Sequence, residues 1–228
     1  IISKINDLNP GVLFVDGAMN RMAPMFLADK IIFATGASRN ISADIIADEM
    51  SVINFLFRQD TNIDIPSTES CMLLKDGKSI ETGISSLLSA EDLKKLLNYK
   101  PEKYDGLVLH GVFSSSVLKE LLEKVLSEKQ NYELIFLEPF RILLSMSIVS
   151  FDSLKNIFPE NVKISFMRRP KLAAVTVNSF YPKYENFHFL AGYVDKIELK
   201  NKVMEKVSVP VYDIFEDGSK QIIDLILS

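Results

Sequence analysis

The sequence has little of what metal and disulfide chemistry need. Cys71 is the only cysteine among 228 residues, so no disulfide framework forms within one chain and a cysteine-rich zinc site is excluded. A single cysteine fits a reducing, cytoplasmic compartment. Only two histidines occur, His110 and His188, too far apart in sequence to form a close-spaced ligand pair. Basic charge is not in excess: the formal net charge is -4, whereas a dedicated nucleic-acid binder carries a basic surplus. Arg168-Arg169 is the one adjacent arginine pair. No long hydrophobic run is present either. The most apolar stretch, 134–151, is interrupted by Glu138, Pro139 and Arg141, and a spanning helix needs about 20 mostly apolar residues in a row. No secretory signal stands at the start, which opens on Ile1.

What is present is an alternation of strand and helix signals. Hydrophobic residues make up 47% of the chain, enough for a sizeable core. Val12-Leu13-Phe14-Val15 reads as a short buried strand with a turn at Asp16-Gly17, and Ile31-Ile32-Phe33-Ala34 as a second, ending at Thr35-Gly36. The period then changes. Ile45, Ile46, Met50, Ile53 and Leu56 fall at helical spacing over 42–58, with Asn40 or Ser42 available as the cap. A polar stretch, 59–70, is the best domain boundary. Asp76-Gly77, set between strand-like runs, predicts a hairpin over 71–84. Ser89 opens a capping pattern before a helix over 90–97.

Beyond it, 106–111 is another strand-to-turn unit, and one of Ser114, Ser115 and Ser116 caps the helix that follows. Strands are predicted at 134–137, 162–166, 172–177 and 209–214, and helices at 152–158 and 196–207. Continuous apolar strands between amphipathic helices imply an α/β fold: a mixed, mostly parallel sheet with helices on both faces and one β-hairpin. Residues 1–60 form a strand-turn-helix segment and 61–228 an α/β domain, with the alternative that 1–228 packs as a single domain.

Candidate sites follow from strand ends, where open α/β sheets gather their ligands. Asp16 at such an end suits Mg²⁺, and Gly17 allows close approach of a phosphate or of backbone; a strand-end aspartate capping its own turn is the plainer reading. Arg21 suits a bidentate clamp on phosphate or carboxylate, or is simply a surface arginine. Thr35, Gly36 and Ser38, between a strand and a helix, suit an anion, or form an ordinary turn. The Walker pattern and the dinucleotide fingerprint are both missing their glycines. His110 near three serines suggests acyl transfer, but no G-x-S-x-G elbow accompanies it, and a helix cap explains the serines. Glu138 and Asp195 are isolated carboxylates. Arg168-Arg169 suits an acidic partner or a solvated strand end. The three methionines and Phe26 within 19–26 suit an adaptable protein contact or core packing. No self-sufficient catalytic constellation emerges, so no catalytic residue is assigned and an accessory or binding role is expected.

The order of the motifs resembles a known family. Phe14-Val15-Asp16-Gly17-Ala18-Met19-Asn20-Arg21 followed by Ile32-Phe33-Ala34-Thr35-Gly36-Ala37 is similar to a bacterial family found beside lysine 5,6-aminomutase, whose members are reactivase subunits for that cobalamin-dependent enzyme. The likeness continues through Lys75-Asp76-Gly77, Leu109-His110-Gly111-Val112 and Val209-Pro210-Val211-Tyr212-Asp213. The resemblance implies a P-loop part upstream, with 1–60 as the end of that domain. It also implies an aminomutase or reactivase subunit as protein partner, and Mg²⁺ with ATP or GTP held jointly with the upstream part, with no tightly bound cofactor in this chain alone. Asn20 and Met22 replace charged family residues. A plain protein-interaction domain with no small ligand is the alternative, and homo-oligomer formation belongs to it; neither reading involves nucleic acid or membrane.

Overall fold

The computed structural model describes residues 11–15, 28–62, 65, 69–123, 131–145 and 151–227. The chain is an α/β protein, and among the described residues its strands fall into two sheets and a separate hairpin. The first sheet holds β1 (Lys30–Gly36), β8 (Lys171–Asn178) and β11 (Val211–Asp213) in the order β1-β8-β11, all parallel. The second holds β2 (Asp60–Thr61), β3 (Met72–Lys75), β4 (Lys78–Glu81), β5 (Gly106–Leu109), β6 (Tyr132–Phe136) and β7 (Val162–Phe166). Its order is β2-β7-β6-β5-β3-β4, parallel from β2 to β5 and antiparallel through β3 and β4. Strand β1, from the first 60 residues, therefore shares a sheet with strands from the last third of the chain.

The passage between sheets takes four residues. Met167 and Arg168 still donate their N–H groups to Phe136 and Leu137, extending the β7 ladder. Pro170 has no N–H to offer and ends that ladder; Lys171 then donates to Asp29 and starts the next one. The central strands β5, β6 and β8 are buried almost throughout, which is why they read as unbroken apolar runs.

Helix α1 (Ala43–Leu56) starts at Ser42, whose Oγ accepts from Ile45 N–H, while Asn40 Oδ1 accepts from Ser42 N–H at 2.9 Å. Its buried residues, among them Ile46, Ala47, Met50 and Val52, spread over more than one face, as expected of a helix packed on several sides. It packs against α6 (Lys196–Lys206) and α5 (Phe151–Ile157). Lys202–Asp44 (2.6 Å) and Lys206–Asp48 (3.3 Å) ion pairs join α1 to α6. Helix α2 (Ala90–Leu97) carries the full capping box, Ser89 with Asp92. The remaining α-helices among the described residues are α3 (Ser115–Leu121), α4 (Pro139–Ser145), α7 (Ile214–Asp217) and α8 (Lys220–Leu227). Helix α8 packs on β8, and Lys30 Nζ reaches its last turn, donating to the carbonyls of Leu225 and Ile226; a cation there also suits the helix dipole. Phe136 holds the core centre, with Phe113, Phe158 and Phe166 packed around it.

Three expectations change. Val12, Leu13, Phe14 and Val15 form no strand and are exposed; among the described residues no strand pairs with them, and an unpaired run leaves its backbone groups to water. The last strand stops at Asp213, because Ile214 already begins α7. A second hairpin, β9 (Phe180–Glu185) with β10 (His188–Tyr193), is added to the expected one. No helix among the described residues is long and apolar enough to cross a membrane.

Candidate functional site

Of the predicted site, Asp16, Gly17 and Arg21 lie outside the described residues, as does 19–26. Thr35, Gly36 and Ser38 are at the carboxyl end of β1. Gly36 abuts the end of β8 so closely that an added Cβ would come within 2.2 Å of the Asn178 carbonyl oxygen. Ala37 N–H donates to that same oxygen at 2.8 Å, and Ser38 Oγ donates to the Phe180 carbonyl at 3.0 Å. Two donors of this turn, Ala37 N–H and Ser38 Oγ, are committed inside the chain, and the close approach of β8 accounts for the glycine. Arg39, just after it, pairs with Glu49 at 3.1 Å. Among the described residues no group of three or more His, Cys, Asp or Glu gathers in metal-ligand fashion.

The carboxyl edge of the six-stranded sheet brings together residues that sequence spacing left apart. His110 follows β5, Glu138 follows β6 and Arg168 follows β7. Arg141 Nε, one turn into α4, lies 3.5 Å from Glu138 Oε1. Glu138 is almost fully buried, and its Oε2 has no hydrogen-bond partner among the described residues. Burial raises the Glu138 pKa, against the pull of Arg141 and Arg168. Burial also lowers that of His110, helped by the charge of Arg141.

Ser114 is the cap of α3. Its Oγ accepts from Val117 N–H at 3.3 Å and shares a hydrogen bond with Ser116 Oγ at 2.8 Å. Gly111 is forced by a different contact: a Cβ there would lie 1.7 Å from the Ser85 carbonyl oxygen. Asp195 is no isolated carboxylate either, since it caps α6, accepting from Ile197 and Glu198 N–H at 2.9 Å. Arg169 donates to the Phe57 carbonyl at the end of α1. It also lines a polar cleft of about 470 Å³ with Arg58, Asp60, Glu133 and Lys163. Within that cleft Lys163 already bridges Asp60 (2.8 Å) and Glu133 (3.8 Å).

The surface that sequence reasoning missed is the β9–β10 hairpin. Its register pairs Phe180 with Tyr193, Pro182 with Ala191 and Tyr184 with Phe189. Because side chains alternate across a strand, these six residues share one face, and every one is apolar or aromatic. The other face carries Tyr181 over Gly192, Lys183 beside Leu190, and Glu185 beside His188; Lys183 and Glu185 pair at 2.8 Å. On the apolar face Tyr184 is 62% exposed, Phe189 75% and Tyr193 67%, and Phe187 at the tip is 89% exposed. The rings nevertheless touch each other, Tyr184 with Phe189 at 5.1 Å and Phe180 with Tyr193 at 5.8 Å between centroids. The period-2 pattern of Phe180, Pro182 and Tyr184 against Phe189, Ala191 and Tyr193 was the signal available in the sequence.

No protein-family model, curated protein or solved structure matches this chain.

Proposed function

We propose that this chain is an accessory protein that acts by binding another protein and performs no chemistry of its own. One observation carries the reading: the β9–β10 hairpin presents a wholly apolar, solvent-exposed face, with Tyr184, Phe189 and Tyr193 open to water. Contiguous apolar patches of this kind mark interaction sites, and aromatic residues dominate the centres of protein interfaces. The resemblance of residues 14–21 and 32–37 to reactivase subunits gives the client class, a cobalamin-dependent aminomutase or its reactivase partner, in the cytoplasm. The test is calorimetric titration of a purified cobalamin-dependent aminomutase with this chain. Binding that is lost on replacing Tyr184 and Phe189 with Ser supports the reading. Absence of binding, or binding indifferent to both changes, overturns it.

A second reading keeps the nucleotide. Thr35, Gly36 and Ser38 stand at the carboxyl end of parallel strands, the usual ligand position in such sheets. Together with Asp16, Gly17 and Arg21 they would contact Mg²⁺ and the phosphates of ATP or GTP, held jointly with an upstream P-loop part. Ala37 N–H and Ser38 Oγ would have to give up their present acceptors, the Asn178 carbonyl on β8 and the Phe180 carbonyl on β9. Calorimetry with Mg-ATP and Mg-GTP, on this chain and on a form extended upstream, decides it. No heat from either form removes the nucleotide.

A further inference from the structure

We propose that the apolar face of β9–β10 is covered by the same face of a second copy of this chain, giving a two-fold dimer. The inference rests on the reading above that this face is an interface, and names its occupant when no client is present.

Two strands alone are marginal in water and need a third strand or a packed face. Here each strand packs extensively only on the other among the described residues, and the face that would form a core is open. Its chemistry favours a copy of itself. All six residues of the face are uncharged, and the Lys183–Glu185 pair lies on the opposite side. Stacking two such faces therefore brings no like charges together, despite the net charge of -4. An isologous contact needs a self-complementary patch, and flat aromatic pairs offset against their equivalents provide one.

Area agrees. Tyr184, Phe189 and Tyr193 are the exposed rings of the face, with Phe180 half-buried beside them. At about 150–250 Å² for a fully open aromatic side chain they offer on the order of 400 Å² per copy, about half of the ~800 Å² per partner of a standard interface. That is the size of the ~300–600 Å² patch that is often functional on a monomer, and it suits a modest, concentration-dependent dimer. Two hairpins stacked about 10 Å apart, the ordinary spacing of packed sheets, would close the face as a four-stranded sandwich.

The test is sedimentation velocity on the full chain across concentrations bracketing about 1 µM, a usual range for modest interfaces. The expected result is a concentration-dependent dimer. Tyr184→Ser and Phe189→Ser should each weaken it by about tenfold or more, as truncation of aromatic anchors does, while Lys183→Ala on the opposite face should leave it unchanged. Circular dichroism establishes that each variant is folded. A monomer throughout the range, or a dimer indifferent to Tyr184→Ser and Phe189→Ser, overturns the proposal. If that monomer still binds the aminomutase through Tyr184 and Phe189, the dimer alone falls. If its aminomutase binding also ignores these residues, the interface reading falls with it.

Discussion

Tyr184 and Phe189 meet across the β9–β10 ladder with ring centroids 5.1 Å apart, and both rings still face water. A cross-strand aromatic pair contributes roughly 0.2–1 kcal/mol to its own hairpin, yet most of its apolar surface is left uncovered. The turn beyond it adds a second cost. Asn186 and Phe187 both hold positive φ, 50° and 63°. This two-residue hairpin turn favours Asn first but Gly second.

Phe187→Gly should therefore tighten the hairpin. Relief of the left-handed strain exceeds the entropy cost of glycine by about 0.5–1 kcal/mol. Amide hydrogen exchange in 180–193 should slow, while protein association weakens through loss of the tip ring. Faster exchange in the variant would contradict the turn as described.

Gly36→Ala tests the joint between β1 and β8. The added methyl meets backbone, the Asn178 carbonyl oxygen at 2.2 Å, so no side chain can swing aside. The strands must separate, and the Ala37 N–H bond to the same oxygen lengthens. Urea unfolding should show a loss of about 1–3 kcal/mol, the usual cost of overpacking. An unchanged midpoint would mean that the strand ends are not in contact.

Glu138 and Arg141 should behave as a coupled pair. Arg141→Leu leaves a buried carboxylate uncompensated and should cost about 3 kcal/mol. Glu138→Gln should cost less, and the double variant should cost less than the sum. The pH dependence has two opposite signs. Glu138, raised by burial, contributes stability that is full below its ordinary value of about 4.3 and is lost as pH rises through its folded value. His110, lowered by burial, contributes stability present above about 6.5 and lost as pH falls through its folded value. In Glu138→Gln the loss toward higher pH should vanish, while the loss toward lower pH remains. A double-mutant cycle repeated at several pH values measures both, and simple additivity at every pH would contradict the pairing.

Cys71 is buried and its thiol is pushed up to about 11, chiefly by that burial. Thiolate is the reactive form, so at pH 8 a thiol reagent should modify the folded chain far more slowly than the chain in denaturant. The contribution to stability is present below the ordinary thiol value of about 8.5 and lost as pH rises toward 11. Rapid modification of the native chain at pH 8 would contradict the buried placement.

The readable parts of the sequence were those in which local chemistry and burial agree. Ser42 before a helical apolar period, Ser89 with Asp92, and Asp-Gly at 76–77 each carry their own backbone requirement, and each element stands where that requirement puts it. Val12 to Val15 had the composition of a strand, but a strand also needs a ladder partner, which lies elsewhere in the chain and leaves no local mark. The β9–β10 hairpin hid for the converse reason: its turn is Asn186-Phe187 rather than Asn-Gly, and its apolar face is not a core face. Gly36 answers to Asn178, a partner that short motifs do not reveal, whereas the cap expected among Ser114, Ser115 and Ser116 is Ser114, accepting from Val117 N–H. The meeting of His110, Glu138 and Arg168 at one sheet edge depends on the strand order β5-β6-β7, which no spacing encodes.

The central claim, that the aromatic hairpin face is an interface, is tested most directly by hydroxyl-radical footprinting of Tyr184, Phe189 and Tyr193. The chain would be compared when dilute, when concentrated and when mixed with the aminomutase. The account predicts strong labelling when dilute and protection of these three residues in one or both of the other states, with Tyr181 on the opposite face unchanged. Equal labelling in all three states would contradict it.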